Sequence, residues 1–391
     1  MTHSIHILST SDELSRHRMD WAPQASHPFS HPGLLLDLCD ADENIIHPIA
    51  AVALDESGRI LALLVGRVED TEVLQTSAYL PFRKPVVRQL VIAHGGFMGP
   101  ERAKLAPELL NALITELDGG IASMLELPVM DADDPVREAL LQAGNPRFDR
   151  ATTSESVRWT MEIKDDFETQ LKQLGRSTRS KVRNQLNRFN REFEDRFELQ
   201  YHTSEDSTPE QLDAYFHDMI KVEDKSYHRG LGWGVSDTPR ERAIHNASVR
   251  EGWFASAMLR IDDKPAAFAA GIRMNDMIYG TNTAFVPDLT KLSLGTIMFF
   301  ETLRGICGRE GFQAWDFGPG DAQYKSRICT NQVPTEQRTI YSKKLGARLL
   351  KARITSTKNT LGFLKAASER IGVENKLKKA MRNRVRGRSQ S

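Results

Sequence analysis

Apolar positions along this chain recur with two periods, and the switches between them mark the expected elements. Ile5, Ile7 and Leu8 form a short apolar strand, followed by the helix-capping cluster Ser9-Thr10-Ser11-Asp12. His27-Pro28-Phe29-Ser30-His31-Pro32 reads as a turn, and Leu34 to Leu38 as a buried helical turn. Strands are expected over 48–54 and 60–65, flanking the hairpin signal Asp55-Glu56-Ser57-Gly58-Arg59. A strand over 86–93 precedes the glycine-rich loop His94-Gly95-Gly96-Phe97-Met98-Gly99-Pro100. A helix over 101–117, a strand over 121–127 and a helix over 135–142 complete this half.

The second half repeats that order. A strand is expected over 157–163, helices over 165–174 and 177–193, and a strand over 197–202. Thr208-Pro209-Glu210-Gln211 is a capping box with proline at the first helical position, opening a helix to about Tyr227. Thr238-Pro239-Arg240-Glu241 repeats the signature. A hairpin over 253–261 and 265–274 leads to a strand over 277–284. In both halves, three strands, a Gly-bearing loop, a helix and a strand follow one another, a topological repeat without a residue-level one. Leu349, Leu350, Ile354, Leu361, Leu364 and Ile371 mark one face of a last helix, bent near Gly362. Lys376 to Arg388 then carries seven basic residues and no acid. Such a tail is usually a solvated end; contact with a membrane surface or polyanion is its rarer use.

At 391 residues the chain is long enough for two domains, and 52 basic residues balance 52 acidic ones, which argues against a dedicated nucleic-acid binder. Cys39, Cys307 and Cys329 are far apart and odd in number, and read as free thiols. No basic region followed by an apolar run opens the chain, and no apolar run approaches membrane-span length, so a cytoplasmic protein is expected. A proline follows both His27 and His31 with no carboxylate pattern beside them. Loop packing is therefore expected there, and no metal site anywhere.

The densest chemistry lies between Met277 and Lys325. Strand, polar loop, helix opening at Leu294-Gly295-Thr296, then strand is a device for holding an anion on unpaired N–H groups. Past the next strand, Asp316-Phe317-Gly318-Pro319-Gly320-Asp321-Ala322-Gln323-Tyr324-Lys325 sets carboxylates, a phenol and an ammonium at a strand end. Asp316 and Asp321 are candidates to act as base, to orient an acceptor, or simply to cap a turn. Lys325 is a candidate for holding a phosphate or an oxyanion. Glu223 is a candidate general base near the end of the capped helix, with His228 as its rival, and His228, Arg229 and Trp233 lie in a glycine-bearing loop suited to binding. Arg176, Arg179, Lys181, Arg183, Arg188 and Arg191 lie in one stretch without an acid among them, a solvated face or a phosphate-binding one.

Phe285, the loop Leu292-Ser293-Leu294-Gly295, the pairs Asp316-Phe317 and Gly320-Asp321, and Tyr324-Lys325 together resemble the acetyltransferase-like domain of bacterial polysaccharide (cellulose, CelD-like) biosynthesis proteins. That family belongs to the GNAT superfamily and is related to the Fem peptidyltransferases. The resemblance spans about residues 156 to 345. It implies an α/β fold of tandem GNAT-like units, each a mixed, mostly antiparallel sheet flanked by helices, with a basic helical C-terminal tail. The units expected are a degenerate one over 1–152, the acyltransferase unit over 153–345, and an extension over 346–391. It further implies acyl transfer from a CoA thioester, acetyl-CoA first among them, to an amine or hydroxyl of a sugar or cell-envelope precursor. Ser293, Leu294, Gly295 and Thr296 would bind the donor. Glu223, Asp316, Tyr324 and Lys325 would serve catalysis, Tyr324 protonating the leaving thiolate. Arg179, Arg183, His228, Arg229, Trp233 and Asp321 would bind substrate. The family's phosphate loop, Arg/Gln-x-x-Gly-x-Gly/Ala, here reads Thr290-Lys291-Leu292-Ser293-Leu294-Gly295, a departure that bears on the donor and not on the fold. Two alternatives stay open: a Fem-like transferase using aminoacyl-tRNA, and a non-catalytic binding module.

Overall fold

The computed structural model describes residues 3–73, 85–226, 234–287, 293–320, 322 and 324–370. Its strands are β1 (His3–Leu8), β2 (Ile45–Asp55), β3 (Ile60–Glu72), β4 (Val86–Met98), β5 (Met124–Glu126), β6 (Met130–Asp131), β7 (Thr152–Glu162), β8 (Phe197–Thr203), β9 (Phe254–Ile261), β10 (Lys264–Met274), β11 (Met277–Phe285), β12 (Ala314–Pro319) and β13 (Asn331–Tyr341). All belong to one mixed sheet in the order β1-β2-β3-β4-β5-β13-β7-β12-β11-β10-β9-β8, with β6 beside β13.

The two ends of the sheet are built alike. On one side β1 to β4 pair antiparallel and β4 runs parallel to β5; on the other β8 to β11 pair antiparallel and β11 runs parallel to β12. Each parallel contact is short: Gln89–Val91 against Met124–Glu126, and Met277–Tyr279 against Ala314–Asp316. Beyond these rungs the strands part. The closing strands are exchanged. β7 follows the first half in sequence yet pairs with β12, while β13 follows the second half and pairs with β5. β7 and β13 pair with each other over nine residues, Thr152–Thr160 against Asn331–Thr339, and so join two similarly built halves into one sheet.

Helices cover both faces because their apolar stripes match the sheet. The helix Arg102–Gly119 buries Leu105, Leu109, Leu113 and Leu117 on the first half and ends at Gly120, whose φ of 109° supplies the left-handed cap. On the second half the helices Arg176–Phe193 and Leu294–Ile306 bury Val182, Leu186, Phe189, Ile297, Phe300 and Leu303 against one face. The helix Pro209–Lys225 covers the other, its Phe216 and Met219 clustering with Phe268 of β10. The halves also meet where Leu34 and Leu38 of the helix Pro32–Ala41 pack on Ala243 and Ala247 of the helix Pro239–Arg250. Two ion pairs flank that seam, Arg250–Asp37 at 2.7 Å and Arg240–Asp42 at 2.6 Å.

Three features differ from the sequence reading. His94 to Met98 is strand, not loop: four residues of β4, Ala93 to Gly96, lie opposite Val65 alone, a wide bulge inside a continuous strand. Gly95 allows it with φ +69°, and a Cβ at Gly96 would stand 2.7 Å from the Ala93 carbonyl oxygen. β13, absent from the sequence reading, is the strand that closes the first half. The last helix, Leu345–Arg370, runs unbroken through Gly362, and the basic run from Lys376 lies outside the described residues.

Strand exchange makes the halves interdependent. Removing residues 331–391 should therefore abolish cooperative unfolding of the whole chain, because β5 and β7 both lose a neighbour. Thermal circular dichroism of the truncated chain checks this; a surviving sharp transition at the full-length midpoint would refute it.

Candidate functional site

A cleft of about 690 Å³ opens where β11 and β12 diverge. β11 contributes Tyr279, Gly280, Thr281 and Asn282, and β12 contributes Asp316, Gly318 and Pro319. A bulge in the β10–β11 pairing at Ala270/Gly271 turns this stretch of β11 toward the opening. The opposite wall comes from the first half: His27 and Phe29 from the turn, His94 and Gly95 from the β4 bulge, and Asp131 at the end of β6. Arg240, Glu241 and His245 of the helix Pro239–Arg250, with Phe216 and Phe254, close the remaining side.

Arg158 of β7 lies at the centre. Its guanidinium meets Asp316 at 2.8 and 2.9 Å and Asp131 at 2.9 Å, one carboxylate from each half. The second Asp316 oxygen accepts the Gly318 N–H at 2.7 Å, fixing the turn after β12. Burial opposes the charge on Arg158, but the Asp316 and Asp131 carboxylates together offset it and raise the pKa. Burial raises the Asp131 carboxyl despite the arginine beside it. The Tyr279 hydroxyl donates to the Ser26 carbonyl at 3.1 Å, tying β11 to the first half, and burial raises its pKa. The His27 ring stands edge-on to Tyr279 at 4.4 Å and 5.5 Å from the ring of His94. Burial, reinforced by His94 and Arg158, pushes His27 down to about 3, and burial pushes His245 down to about 4.

Of the residues singled out in the sequence, Asp316 lines this cleft. Ser293, Leu294, Gly295 and Thr296 come together at the start of the helix Leu294–Ile306, where Ser293 takes φ +57° and the Thr296 N–H donates to its carbonyl at 2.8 Å. That left-handed conformation is the one a glycine adopts freely. A Cβ at Gly295 would stand 3.3 Å from the Phe285 ring, so the loop packs directly on that aromatic. Lys325 is buried, and its Nζ donates to the carbonyls of Phe317, Gly318 and Gly320 at 2.8, 3.2 and 3.1 Å. Its charge thus gathers the turn after β12 instead of lining the cleft. Tyr324 beside it is exposed. Glu223 is fully buried, accepting the Ser226 hydroxyl at 2.6 Å, outside the cleft lining. Arg179 and Arg183 lie on the basic helix away from the cleft, with Arg183 paired to Glu168. His228, Arg229, Trp233 and Asp321 lie outside the described residues. Sequence reasoning missed His27, Arg158 and Tyr279 as site residues and named His94 only as the start of a glycine-rich loop. The readable trace was the His94-Gly95-Gly96 run, which is rare inside a strand.

Residues 180–326 match the family described as an acetyltransferase (GNAT) domain. No curated protein matches the chain. Solved structures share its fold. The C-terminal domain of a putative lysylphosphatidylglycerol synthetase from Agrobacterium fabrum aligns with TM-score 0.53 and 14% identity, covering 88% of this chain and 97% of that one. FemX aligns with TM-score 0.52 and 12% identity, covering 86% and 97%. A tandem GNAT protein from the clavulanic acid biosynthesis pathway aligns with TM-score 0.50 and 12% identity, covering 87% and 99%.

Two predictions follow from this geometry. Replacing Ser293 by glycine relieves a left-handed side chain, whereas Ser293→Val should cost about 1–2 kcal/mol in a urea titration; equal midpoints would show that the turn is not strained. The depressed histidines set a pH dependence. Below about pH 6.5 the unfolded chain takes protons that the folded His27 and His245 refuse, so stability falls as pH falls toward 4 and then 3. His27→Gln should flatten the decline between pH 7 and 5, and an unchanged slope would contradict it.

Proposed function

We propose that the chain is an acyltransferase of the GNAT type, with its donor at the strand divergence and its acceptor in the cleft between the halves. The observation that carries this reading is the continuity of the two places. β11 leaves β12 after Tyr279, the cleft opens at that point, and the chain after β11 leads to the helix that begins at Ser293. In this reading the pyrophosphate of an acyl-CoA, acetyl-CoA first among them, lies on the opening N–H groups of the helix. The acyl group reaches between the parted strands, where an amine or hydroxyl attacks it directly.

The cleft's size suits a small or sugar-sized acceptor. Asp131, Asp134, Glu241, Asp316 and Asn282 can hydrogen-bond hydroxyls or an amine, and Phe29, Phe216 and Phe254 offer apolar faces. A sugar or cell-envelope precursor fits that mixture. The match of residues 180–326 to an acetyltransferase domain supports the CoA donor. A second reading, transfer from aminoacyl-tRNA, is favoured by the exposed cations Arg176, Lys181 and Arg188 along the basic helix, and by serine at the first glycine of the phosphate loop.

Calorimetric titration with acetyl-CoA and longer acyl-CoAs separates these readings. Micromolar binding is expected, weakened at least about tenfold by Thr296→Asp, which leaves folding intact because acidic residues suit a helix's first turn. Absence of binding by a folded sample, together with salt-sensitive binding of tRNA, would replace the first reading by the second.

A further inference from the structure

An acyl transfer needs a group that takes the acceptor's proton, and most polar groups in the cleft are already engaged. Arg158 is held by Asp131 and Asp316, Tyr279 donates to Ser26, Arg240 pairs with Asp42, and Asp134 caps the Val136 N–H at 2.8 Å. His94 and the Nε2 of His27 have no protein partner among the described residues. Both come from the first half: His27 stands edge-on to Tyr279, whose Cα pairs with Asp316 in the last parallel rung before the strands part, and the His94 ring lies 5.5 Å from that of His27.

Resting on the acyl-transfer reading above, we propose that His94 is the general base for an acceptor bound in this cleft, and that His27 is an uncharged hydrogen-bond donor beside it. The two rings differ in how the backbone binds them. His27 Nδ1 accepts the Phe29 N–H at 3.2 Å, so the ring's proton must sit on Nε2, and that nitrogen can only donate. His94 has no such bond, and its ring is open to the cleft, leaving a lone pair available. The β4 bulge carries it there, and Gly95 lets the bulge press on the first-half turn: a Cβ at Gly95 would stand 2.7 Å from the His27 Cβ. Although the His94 ring is accessible, the depth of the cleft lowers its pKa, with Arg67 of β3 and Arg158 of β7 adding to this and Asp316 of β12 opposing. Both imidazoles are therefore neutral at pH 7.

The step balances. As the acceptor nitrogen or oxygen bonds to the acyl carbon, its proton passes to His94. The carbonyl π pair moves onto oxygen, where the His27 Nε2–H donates. The pair then returns, the carbon–sulfur bond breaks with its electrons on sulfur, and His94 gives its proton to that thiolate or to water. Glu241 is the rival base, a cleft carboxyl whose pKa burial raises.

Two measurements on the full chain decide. Release of free thiol from acetyl-CoA, with glucosamine, spermidine or water as acceptor, should fall about 100-fold in kcat for His94→Gln, with unchanged acetyl-CoA affinity. The acid-side inflection of kcat/KM should vanish in that variant and persist in Glu241→Gln; the reverse pattern, or wild-type kcat in His94→Gln, overturns the proposal. Nitrogen-15 NMR of labelled histidines should show His27 as the Nε2–H tautomer down to pH 5 and His94 neutral at pH 7. Gly95→Ala should perturb the His27 signals. If wild type binds no acetyl-CoA, the donor reading fails by itself and the NMR result decides alone. An Nδ1–H tautomer at His27, or protonation of either ring at pH 7, overturns the pair.

Discussion

Arg158 is the interaction on which the rest of the structure turns. It belongs to β7, a strand that follows the first half in sequence but lies in the second, and it grips Asp131 of one half and Asp316 of the other. These carboxylates stand where the sheet opens. Without the guanidinium, a buried and a half-buried negative charge would face each other across the gap and push the strand ends apart. With it, the opening is held at a fixed width. The ion triad is thus a registration device more than a source of net stability, because pairing in such a place offsets a desolvation cost of similar size.

The cleft belongs to neither half alone. Each half carries an irregularity between its third and fourth meander strands, four residues against one in β4 and a single extra residue in β11, and both irregularities border the same space. The larger one brings His94 to the mouth of the second half's strand divergence. Strand exchange through β7 and β13 keeps that arrangement rigid, since neither half can shift without breaking nine paired residues.

Much of this architecture could be read from local signals. The capping box at Thr208, the Thr-Pro starts at Thr208 and Thr238, the hairpin at Asp262-Asp263-Lys264, and the apolar stripe of Leu105 to Leu117 each specify an element through contacts within a few residues. β13 gave no such signal. Its inward positions are polar, with Glu336 bound to Arg137 and Arg338, and Gln337 reaching Glu126, so it lacks the apolar alternation of a strand. The site was legible only where one segment contained it. Asp316 could be found because a Gly-Pro-Gly turn follows it. His27, His94, Arg158 and Tyr279 come from four distant segments that only the sheet order brings together. Lys325 stood out in the sequence as a candidate for holding a phosphate or an oxyanion, whereas in the structure its ammonium gathers the carbonyls of the turn beside it.

The most direct test of the account is a crystal structure of the chain with bound CoA. The pyrophosphate should rest on the N–H groups of Leu294 and Gly295, with the thiol passing between β11 and β12 toward Asp316 and the imidazoles. CoA bound along the basic helix Arg176–Phe193, or with its thiol directed away from the cleft, would contradict it.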